Sequence, residues 1–324
     1  MKVTILGCGA YGMALSNILI DNNCEVTLWT TFEEEKNQLE KNLGNEKLIP
    51  NFKISGKIKI TTNIKEAIEE KDLLVIAIPA AFVDSVAKEM KPYIKDNHIL
   101  IATKGIEQNT GLFINQIIEK NLDTKNIAVI SGPSFAIDIV SRMPIGLSLA
   151  TNSLKTEQIV KKCFSNNYVK LRSTKDIIGV EICGSIKNII AIAAGMLEGL
   201  GANESTKAML LTEATHDIEA IIKAFNGKHR TINSYAGFGD LILTCTSEKS
   251  RNYSFGELLG KNAPKEEIEL YKKTTTVEGF YTIKSIYQLL KNKKIKIPTI
   301  DLIYNIAVKG EDAKKLLTFL VEKK

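Results

Sequence analysis

The amino-acid sequence predicts an α/β protein in which a doubly wound parallel sheet is followed by an all-α carboxyl-terminal domain. Through the first half of the chain, short β-rich runs alternate with helical patterns, as in a parallel sheet joined by right-handed crossovers. Residues 73–78 are apolar throughout, which is typical of a strand that helices cover on both faces. From about residue 177, the apolar residues follow helical spacing with no clear β-run. A length of 324 residues suits two domains, which we place at 1–178 and 179–324.

The individual elements follow from two hydrophobic periodicities. Apolar and β-branched runs bounded by turn residues predict strands, and apolar residues three or four positions apart predict helices. The predicted strands are 3–6, 25–29, 57–61, 73–78, 99–102, 127–131, 146–150 and 169–171. The predicted helices of the second domain are 182–200, 204–224, 254–259, 279–291, 301–307 and 312–322, and the last begins with an acidic cap.

Composition argues against several classes of protein. The 43 basic and 37 acidic residues give a net charge of +6 that is spread along the chain, so a nucleic-acid partner is not expected. The five cysteines have no paired spacing and the three histidines stand far apart, so we expect neither a disulfide framework nor a metal site. The amino terminus enters a strand pattern without an export signal, and the longest apolar stretch, 189–197, is about half the length that crosses a bilayer. We therefore expect a cytoplasmic protein with no membrane insertion.

A glycine-rich turn follows the first predicted strand. Residues 7–12 read GCGAYG, which has the G-x-G-x-x-G spacing and leads directly into a helical pattern. In this setting the first glycine permits the tight turn, the second lets the backbone approach a pyrophosphate, and the third lets helix and strand pack closely. The amino terminus of the helix then offers N–H groups to the anion. The motif predicts a Rossmann domain over residues 1–178 that binds a dinucleotide, NAD or NADP.

The choice between NAD and NADP stays open at this point. An NAD-specific domain usually carries an acidic residue at the end of its second strand, where it binds the ribose 2′-hydroxyl. Here that position reads Trp29, Thr30, Thr31. The missing carboxylate removes one obstacle to the 2′-phosphate of NADP, yet no arginine stands there to bind it, and residues 33–35 are all glutamate.

Lys187 and Asn188 stand at the polar start of the apolar predicted helix 182–200. Two interpretations of the lysine are open. It could lay its aliphatic stem along the helix and keep its ammonium in water. Alternatively, burial in a cleft beside other cations would disfavour its charged form and suit it to acid–base chemistry at neutral pH.

A second polar cluster ends in Ser250, Arg251 and Asn252. Arg251 offers a bidentate fork to a phosphate, and its two neighbours can add hydrogen bonds, especially if a helix begins at Tyr253. The residues alone leave open the alternative of a surface loop, in which the serine and the preceding Asp240 only cap helices.

Several motifs occur together and in order along the chain. They are the glycine turn, Thr103-Lys104-Gly105, Ser131-Gly132-Pro133-Ser134-Phe135-Ala136, the Lys187-Asn188 helix, Gly239-Asp240-Leu241, Ser250-Arg251-Asn252 and Val277-Glu278-Gly279. From the first residue to about Pro298, the chain resembles the bacterial NAD(P)-dependent glycerol-3-phosphate dehydrogenases. The resemblance implies reversible hydride transfer between NAD(P)H and dihydroxyacetone phosphate, giving sn-glycerol 3-phosphate for glycerophospholipid synthesis. The apolar helices of the second domain are consistent with a homodimer.

The resemblance also assigns residues. Lys187 is similar to the residue that donates and accepts the proton, with Lys104 and Asp240 as catalytic neighbours around the substrate. The implied substrate-binding positions are Lys104, Gly132, Ser134, Lys187, Asn188, Asp240, Thr244, Ser250, Arg251 and Asn252. The implied cofactor-binding positions are Gly7, Gly9, Ala10, Tyr11, Gly12, Thr31, Lys104, Ala136, Arg251, Thr276 and Glu278. Ala10 departs from the family's usual serine or tryptophan, and Thr31 from a more basic or polar residue.

The implied mechanism follows from charge. As hydride reaches the carbonyl carbon, negative charge builds on the oxygen, and a positioned lysine ammonium both stabilises that charge and supplies the proton.

There are two alternative functions. One is a dehydrogenase with the same two-domain plan that acts on a hydroxy acid, a hydroxyacyl thioester or a sugar nucleotide. The Ser250-Arg251-Asn252 group argues against it, because this group suits a compact phosphorylated substrate. Another is a dinucleotide-binding regulator without chemistry, which would need none of Lys187, Lys104 and Asp240.

Overall fold

A computed structural model describes residues 1–108 and 110–322 of the chain. The chain divides into two compact units. The first unit comprises Met1–Lys104 and Ile114–Ile177, and the second comprises Gly105–Phe113 and Ile178–Lys324. No sequence pattern indicates that residues 105–113, which precede a helix of the first unit, belong with the second unit.

The first unit is built on a sheet of eight strands in the order β3-β2-β1-β4-β5-β6-β7-β8. The strands are β1 (Lys2–Leu6), β2 (Glu25–Trp29), β3 (Lys59–Thr61), β4 (Leu73–Ile76), β5 (His98–Ile101), β6 (Ile127–Ser131), β7 (Ile145–Thr151) and β8 (Val169–Thr174). All eight predicted strands are present, with ends that differ by up to three residues. The order places β1 next to β4, where a doubly wound sheet reverses its direction of winding and opens a crevice for ligands.

One pair of strands departs from the prediction of a parallel sheet. β1 to β6 are mutually parallel, but β7 pairs with β6 in antiparallel register, with Ala128 opposite Thr151, and β8 is parallel to β7. An antiparallel neighbour needs no crossover. Because strands on either side of that reversal have the same apolar pattern, the sequence did not distinguish the two directions.

The helices of the first unit connect these strands. They are α1 (Ala10–Asp21), α2 (Glu33–Asn42), α3 (Ile64–Ile68), α4 (Val83–Met90), α5 (Ile114–Leu122), α6 (Ala136–Val140) and α7 (Leu154–Phe164), with short 3₁₀ turns at Ala80–Phe82 and Lys91–Tyr93. The core of the unit contains fully buried residues of the sheet, such as Ile5, Leu28 and Val75, and of α1, such as Leu15 and Ile18. Burial of apolar side chains from both layers holds the carboxyl ends of β1, β2 and β4 in place.

The described part of the second unit is helical apart from an isolated bridge between Ile106 and Phe113. Its helices are α8 (Ile177–Gly199), α9 (Glu204–Ala224), α10 (Asp240–Cys245), α11 (Arg251–Gly260), α12 (Lys265–Thr274), α13 (Glu278–Asn292), α14 (Pro298–Lys309) and α15 (Lys315–Glu322). A 3₁₀ turn covers His229–Asn233, and a π-helical turn covers Tyr235–Gly239. The all-helical prediction is confirmed, but α10 and α12 were missed. α12 buries none of its residues, so it has no apolar stripe for a periodicity to reveal.

α8 is the one helix among the described residues that is long and apolar enough to cross a membrane. Its most apolar window is 89% buried within the fold, and Ile186, Ile189 and Ile190 are fully inaccessible. α8 is therefore a core helix, and its uniform hydrophobicity reflects burial on all sides.

α8 and α11 pack with their backbones in close contact. A Cβ atom on Gly195 or Gly199 of α8, or on Gly256 or Gly260 of α11, would overlap a backbone carbonyl oxygen of the other helix. Ordinary side chains hold helix axes about 8–10 Å apart. Glycine at these four positions permits a closer approach, and this approach positions the polar residues near the start of α11.

Candidate active site

The glycine-rich turn in the first unit has the geometry that its sequence predicts. Gly7 lies directly after β1 with φ +123°, a conformation that L side chains rarely adopt, and a Cβ there would lie 2.5 Å from the carbonyl oxygen of Ala77 after β4. Its backbone N–H donates to the carbonyl oxygen of Trp29 at 2.8 Å, which ties the turn to β2. A Cβ on Gly12 would overlap the carbonyl oxygen of Gly7, so α1 starts as close to the strand as the backbone allows.

Gly9 differs from the other glycines of the turn. A Cβ built on it would meet no atom of the protein within 4 Å, and its φ is −65°, so neither packing nor backbone conformation requires glycine there. Gly9 is the N-cap of α1, with no side-chain cap and no acidic residue in the first turn of the helix. The open space lies beside N–H groups that can bind an anion. The turn therefore fits the pyrophosphate of a dinucleotide.

Replacing Gly9 with alanine is expected to weaken dinucleotide binding without changing the fold. The added methyl group has room in the free protein but would occupy the space of the pyrophosphate, so the Kd for NAD should rise about tenfold or more, as overpacking of about 1–3 kcal/mol implies. Titration calorimetry and the melting temperature measure the two effects. Gly12→Ala is the matched control, because it should lower the melting temperature as well. An unchanged Kd for Gly9→Ala would contradict the assignment of the turn.

Tyr11 and Ser134 meet in the first unit at the carboxyl ends of β1 and β6. The Ser134 hydroxyl donates to the carbonyl oxygen of Gly132 at 3.0 Å, so it accepts from the Tyr11 hydroxyl at 3.2 Å. A Cβ on Gly132 would lie 2.6 Å from the carbonyl oxygen of Gly146, which explains the glycine between β6 and the serine. Ala136 is half-buried at the start of α6.

The remaining candidates of the first unit also follow strands. Lys104 is half-buried three residues after β5, and the preceding Thr103 is held by its hydroxyl, which donates to the carbonyl oxygen of Ile78 at 2.7 Å. Ala10 is half-buried at the start of α1. Thr31 is exposed two residues after β2. Each therefore lies at the edge of the sheet where ligands of doubly wound folds bind.

The end of β2 has a feature that the sequence did not predict. The buried Thr30 hydroxyl donates to the carboxylate of Glu35 in the first turn of α2, and the Thr62 hydroxyl after β3 donates to the carboxylate of Glu33. The three successive glutamates at 33–35 were the only sign in the sequence that carboxylates could bond to these threonines. Which of them points back to the sheet depends on where α2 begins.

In the second unit, a buried network surrounds Lys187. Its Nζ forms an ion pair with the Asp240 carboxylate and donates to the Thr244 hydroxyl at 2.8 Å. The Thr244 hydroxyl in turn donates to the main-chain oxygen of Asp240 at 2.6 Å, so its lone pair faces the ammonium. The side chains of Lys187 and Asp240 are only 7% and 1% exposed. The interpretation in which the ammonium remains in water is therefore wrong.

The position of Lys187 within its helix also differs from the prediction. α8 begins at Ile177, five residues before the predicted start, so Lys187 lies near the middle of a helix of 23 residues. A charge buried among apolar residues is costly unless it is paired and hydrogen-bonded. Asp240 and Thr244 meet that requirement from successive turns of α10, which the π-helical turn at Tyr235–Gly239 leads into. Such turns are frequent at functional sites.

Cys245 lies beside this network but is not a candidate nucleophile. Its Sγ is 3.9 Å from the main-chain oxygen of Lys187, and burial raises the pKa of its thiol well above the usual value. A thiol that stays protonated is unreactive. The titratable pair available for chemistry here is thus Lys187 with Asp240.

A second buried network joins α8, α11 and α13. The Asn252 side chain donates to Oδ1 of Asn188 at 3.0 Å and accepts from the backbone N–H of Gly279 at 2.9 Å. Asn188 donates to the Glu278 carboxylate at 3.4 Å. A Cβ on Gly279 would lie 2.5 Å from the carbonyl oxygen of Asn188, so that glycine is required by the close approach of α13. The two asparagines are fixed in orientation before any ligand binds.

The 250–252 group forms the start of a helix rather than a surface loop. α11 begins at Arg251, two residues before Tyr253, and the Ser250 hydroxyl caps it by accepting from the Tyr253 N–H at 3.3 Å. Arg251 is exposed, and its carbonyl oxygen accepts from the Tyr271 hydroxyl at 3.2 Å. Asp240, the other capping candidate, is buried within the first turn of α10 and pairs with Lys187. Thr276 is exposed two residues before α13.

The chain matches known proteins over most of its length. Residues 2–157 match the family described as NAD-dependent glycerol-3-phosphate dehydrogenase N-terminus, and residues 176–318 match its C-terminus. The glycerol-3-phosphate dehydrogenase (NAD(P)+) of Bacillus pumilus is 37% identical over 314 residues, which cover 96% of this chain and 91% of that protein. The corresponding enzyme of Fusobacterium nucleatum is 34% identical over 324 residues, or 99% of this chain and 96% of that protein. The crystal structure of glycerol-3-phosphate dehydrogenase from Coxiella burnetii superposes with a TM-score of 0.93 at 29% identity and covers 99% of both chains.

Proposed function

The chain belongs to the NAD-dependent glycerol-3-phosphate dehydrogenase family, and from this premise we propose that it interconverts dihydroxyacetone phosphate and sn-glycerol 3-phosphate with Lys187 as the proton donor and acceptor. The buried ammonium of Lys187, held by Asp240 and Thr244, is the observation that carries the proposal. It provides a cation and a proton on one atom, which is what reduction of a carbonyl group requires.

The proposed reaction needs a hydride and a proton. NAD or NADP, when bound at residues 7–12, supplies or accepts the hydride at the middle carbon of the substrate. The Lys187 ammonium stabilises the negative charge that develops on the substrate oxygen during reduction and then transfers its proton to that oxygen. In the reverse direction the neutral amine takes the hydroxyl proton. Lys104 is proposed as a further contact of substrate and cofactor.

Asp240 and Thr244 are proposed to hold the proton at Nζ until it is needed. The Asp240 carboxylate favours the charged form of Lys187 and offsets the cost of its burial. Thr244 can only accept from Lys187, because its own proton is donated to the main-chain oxygen of Asp240. The two contacts leave the lysine little freedom, so the proton is presented from a preorganised position.

The start of α11 is proposed to bind the phosphate group of the substrate. The exposed guanidinium of Arg251 provides a bidentate fork, and the N–H groups at the start of a helix can bind an anion. Ser250 and Asn252 flank Arg251. Ser250 caps the helix, and Asn252 provides a buried amide. In the first unit, Gly132 and Ser134 are proposed as further substrate contacts, and Tyr11 and Ala136 as cofactor contacts. Thr276 and Glu278 of the second unit are also proposed as cofactor contacts.

Arg251→Ala is expected to weaken binding of the substrate phosphate. A charge-assisted hydrogen bond is worth about 1.5–3 kcal/mol, so kcat/KM for dihydroxyacetone phosphate should fall about 10- to 100-fold. The slow reduction of unphosphorylated dihydroxyacetone should change much less, and comparing the two substrates in an NADH oxidation assay measures the difference. The exposed Arg230→Ala serves as the matched control. Equal losses on both substrates would contradict a role in phosphate binding.

The cellular role follows from the product. We propose that sn-glycerol 3-phosphate made by this enzyme supplies glycerophospholipid synthesis and that the enzyme acts in the cytoplasm as a homodimer. All five cysteines, each in the described part of the chain, are free and buried, as suits a reducing compartment.

A further inference from the structure

The carboxyl end of β2 lacks an acidic residue but has a carboxylate folded back onto it. Thr30 directly follows the strand, is buried, and bonds through its backbone N–H to the carbonyl oxygen of Thr61 at 3.1 Å. Its hydroxyl accepts from the N–H of Phe32 at 3.3 Å and donates to Glu35. These two bonds fix the hydroxyl, and through it the carboxylate of Glu35, at the end of the strand.

The same carboxylate lies within electrostatic reach of the glycine-rich turn. Burial raises the pKa of the Cys8 thiol, and the negative charge of Glu35 raises it further. β2 is tied to that turn by the hydrogen bond from Gly7 to Trp29 at 2.8 Å. Glu35 therefore occupies, from the first turn of α2, the region that a strand-end acid occupies in NAD-specific domains.

The surroundings of Glu35 are poorly suited to a 2′-phosphate. Glu33 adds a second carboxylate, held by the Thr62 hydroxyl and paired with Lys36 at 3.6 Å. The first arginine of the sequence is Arg142, so residues 1–108 hold no guanidinium for a bidentate bond to a phosphate. A 2′-phosphate carries close to two negative charges and would face these carboxylates at short range.

We propose that Glu35 accepts hydrogen bonds from the adenosine ribose hydroxyls and makes this enzyme selective for NAD over NADP. The inference rests on the dinucleotide site of the proposed function and names the group that discriminates between its two cofactors. A carboxylate has two oxygens with about four acceptor positions, so the bond from Thr30 orients Glu35 without exhausting its capacity. The 2′-hydroxyl is a donor that this group can bind, and the 2′-phosphate is an anion that it repels.

Binding of NAD and NADP to the purified protein, measured by titration calorimetry without substrate, tests the inference. We expect the wild-type Kd to be at least about tenfold lower for NAD than for NADP. Glu35→Gln should reduce this ratio about tenfold, because it removes the repulsion of NADP and weakens the bond to the ribose of NAD. Thr30→Val, which removes only the orienting hydroxyl, should reduce the ratio by a smaller factor. Glu34→Gln, an exposed neighbour in the same helical turn, should leave it unchanged.

Salt provides a readout that a merely structural effect would not change. Repulsion between partly exposed charges is screened at high ionic strength, so the wild-type preference for NAD should narrow as salt is added. The preference of Glu35→Gln should narrow less, because only the carboxylate of Glu33 remains to repel the 2′-phosphate. Equal wild-type affinities, or an unchanged ratio in Glu35→Gln, would overturn the inference while leaving the proposed reaction in place. Selective NAD binding without any turnover of dihydroxyacetone phosphate would overturn the proposed reaction and support the inference. Failure of both nucleotides to bind would overturn the dinucleotide site and the inference with it.

Discussion

Lys187→Met is expected to lower kcat for the reduction of dihydroxyacetone phosphate by about 10² to 10⁴, the usual contribution of a positioned general acid. Methionine keeps most of the aliphatic volume of the lysine but carries no proton and no charge. The substrate oxygen would then develop its negative charge without a neighbouring cation. The Kd for NAD, whose proposed contacts do not include Lys187, should remain within about twofold. Lys223→Ala, at an exposed position in α9, is the control for loss of a lysine.

Loss of folding must be separated from loss of chemistry at this position. Removing Lys187 leaves the carboxylate of Asp240 buried without its ion-pair partner, and breaking a buried pair in this way costs about 3–5 kcal/mol. The double variant Lys187→Met with Asp240→Asn replaces that charge with a neutral amide of the same shape. It should regain much of the stability and none of the activity. Recovery of activity along with stability would contradict a catalytic role for Lys187.

Gly256→Ala is expected to destabilise the protein although alanine is the better helix former. Alanine in a helix is intrinsically better than glycine by about 1 kcal/mol, so propensity alone predicts a gain. The new Cβ would overlap the carbonyl oxygen of Ile192 in α8, which is backbone and has no rotamer to change. We expect the free energy of unfolding to fall by about 3 kcal/mol, the upper part of the range for overpacked interiors. The corresponding drop in melting temperature is about 6 to 12 °C.

The same change should also impair the site. Asn252 lies one helical turn before Gly256, and its side chain bonds to Asn188 of α8 at 3.0 Å. Separating the two helices would lengthen that bond and move the start of α11, so KM for dihydroxyacetone phosphate should rise in protein that remains folded. Gly56→Ala is the matched control, because a Cβ there meets no atom within 4 Å. A stabilised Gly256→Ala protein would show that the backbones are not in close contact in solution.

The sequence predicted features that are encoded locally. The glycine turn, the buried strands and α9, whose bounds coincide with the prediction at 204–224, depend on short patterns of conformation and hydrophobicity. The sequence also identified Lys187 as unusual, because it is a charged residue in an otherwise apolar predicted helix. The structure then brings Asp240 and Thr244 to it from 53 and 57 residues away.

Features that depend on contacts between distant segments were not predictable in this way. The close packing of Gly195 against α11 is invisible in either helix alone, and the reversal of β7 leaves its apolar pattern unchanged. The return of Glu35 to the end of β2 required the true start of α2, which the sequence left undefined. The excursion of residues 105–113 into the second unit is likewise a property of the folded chain.

Isotope labelling can follow the hydride of the proposed reaction from cofactor to product. The wild-type enzyme is given dihydroxyacetone phosphate and NADH that carries deuterium at the transferable C4 position, and the product is examined by NMR and by chiral analysis. We expect one deuterium at C2 of sn-glycerol 3-phosphate, formed rapidly by the wild type and at least about a hundredfold more slowly by Lys187→Met. Binding of NADH without transfer of deuterium to dihydroxyacetone phosphate would contradict the proposed reaction.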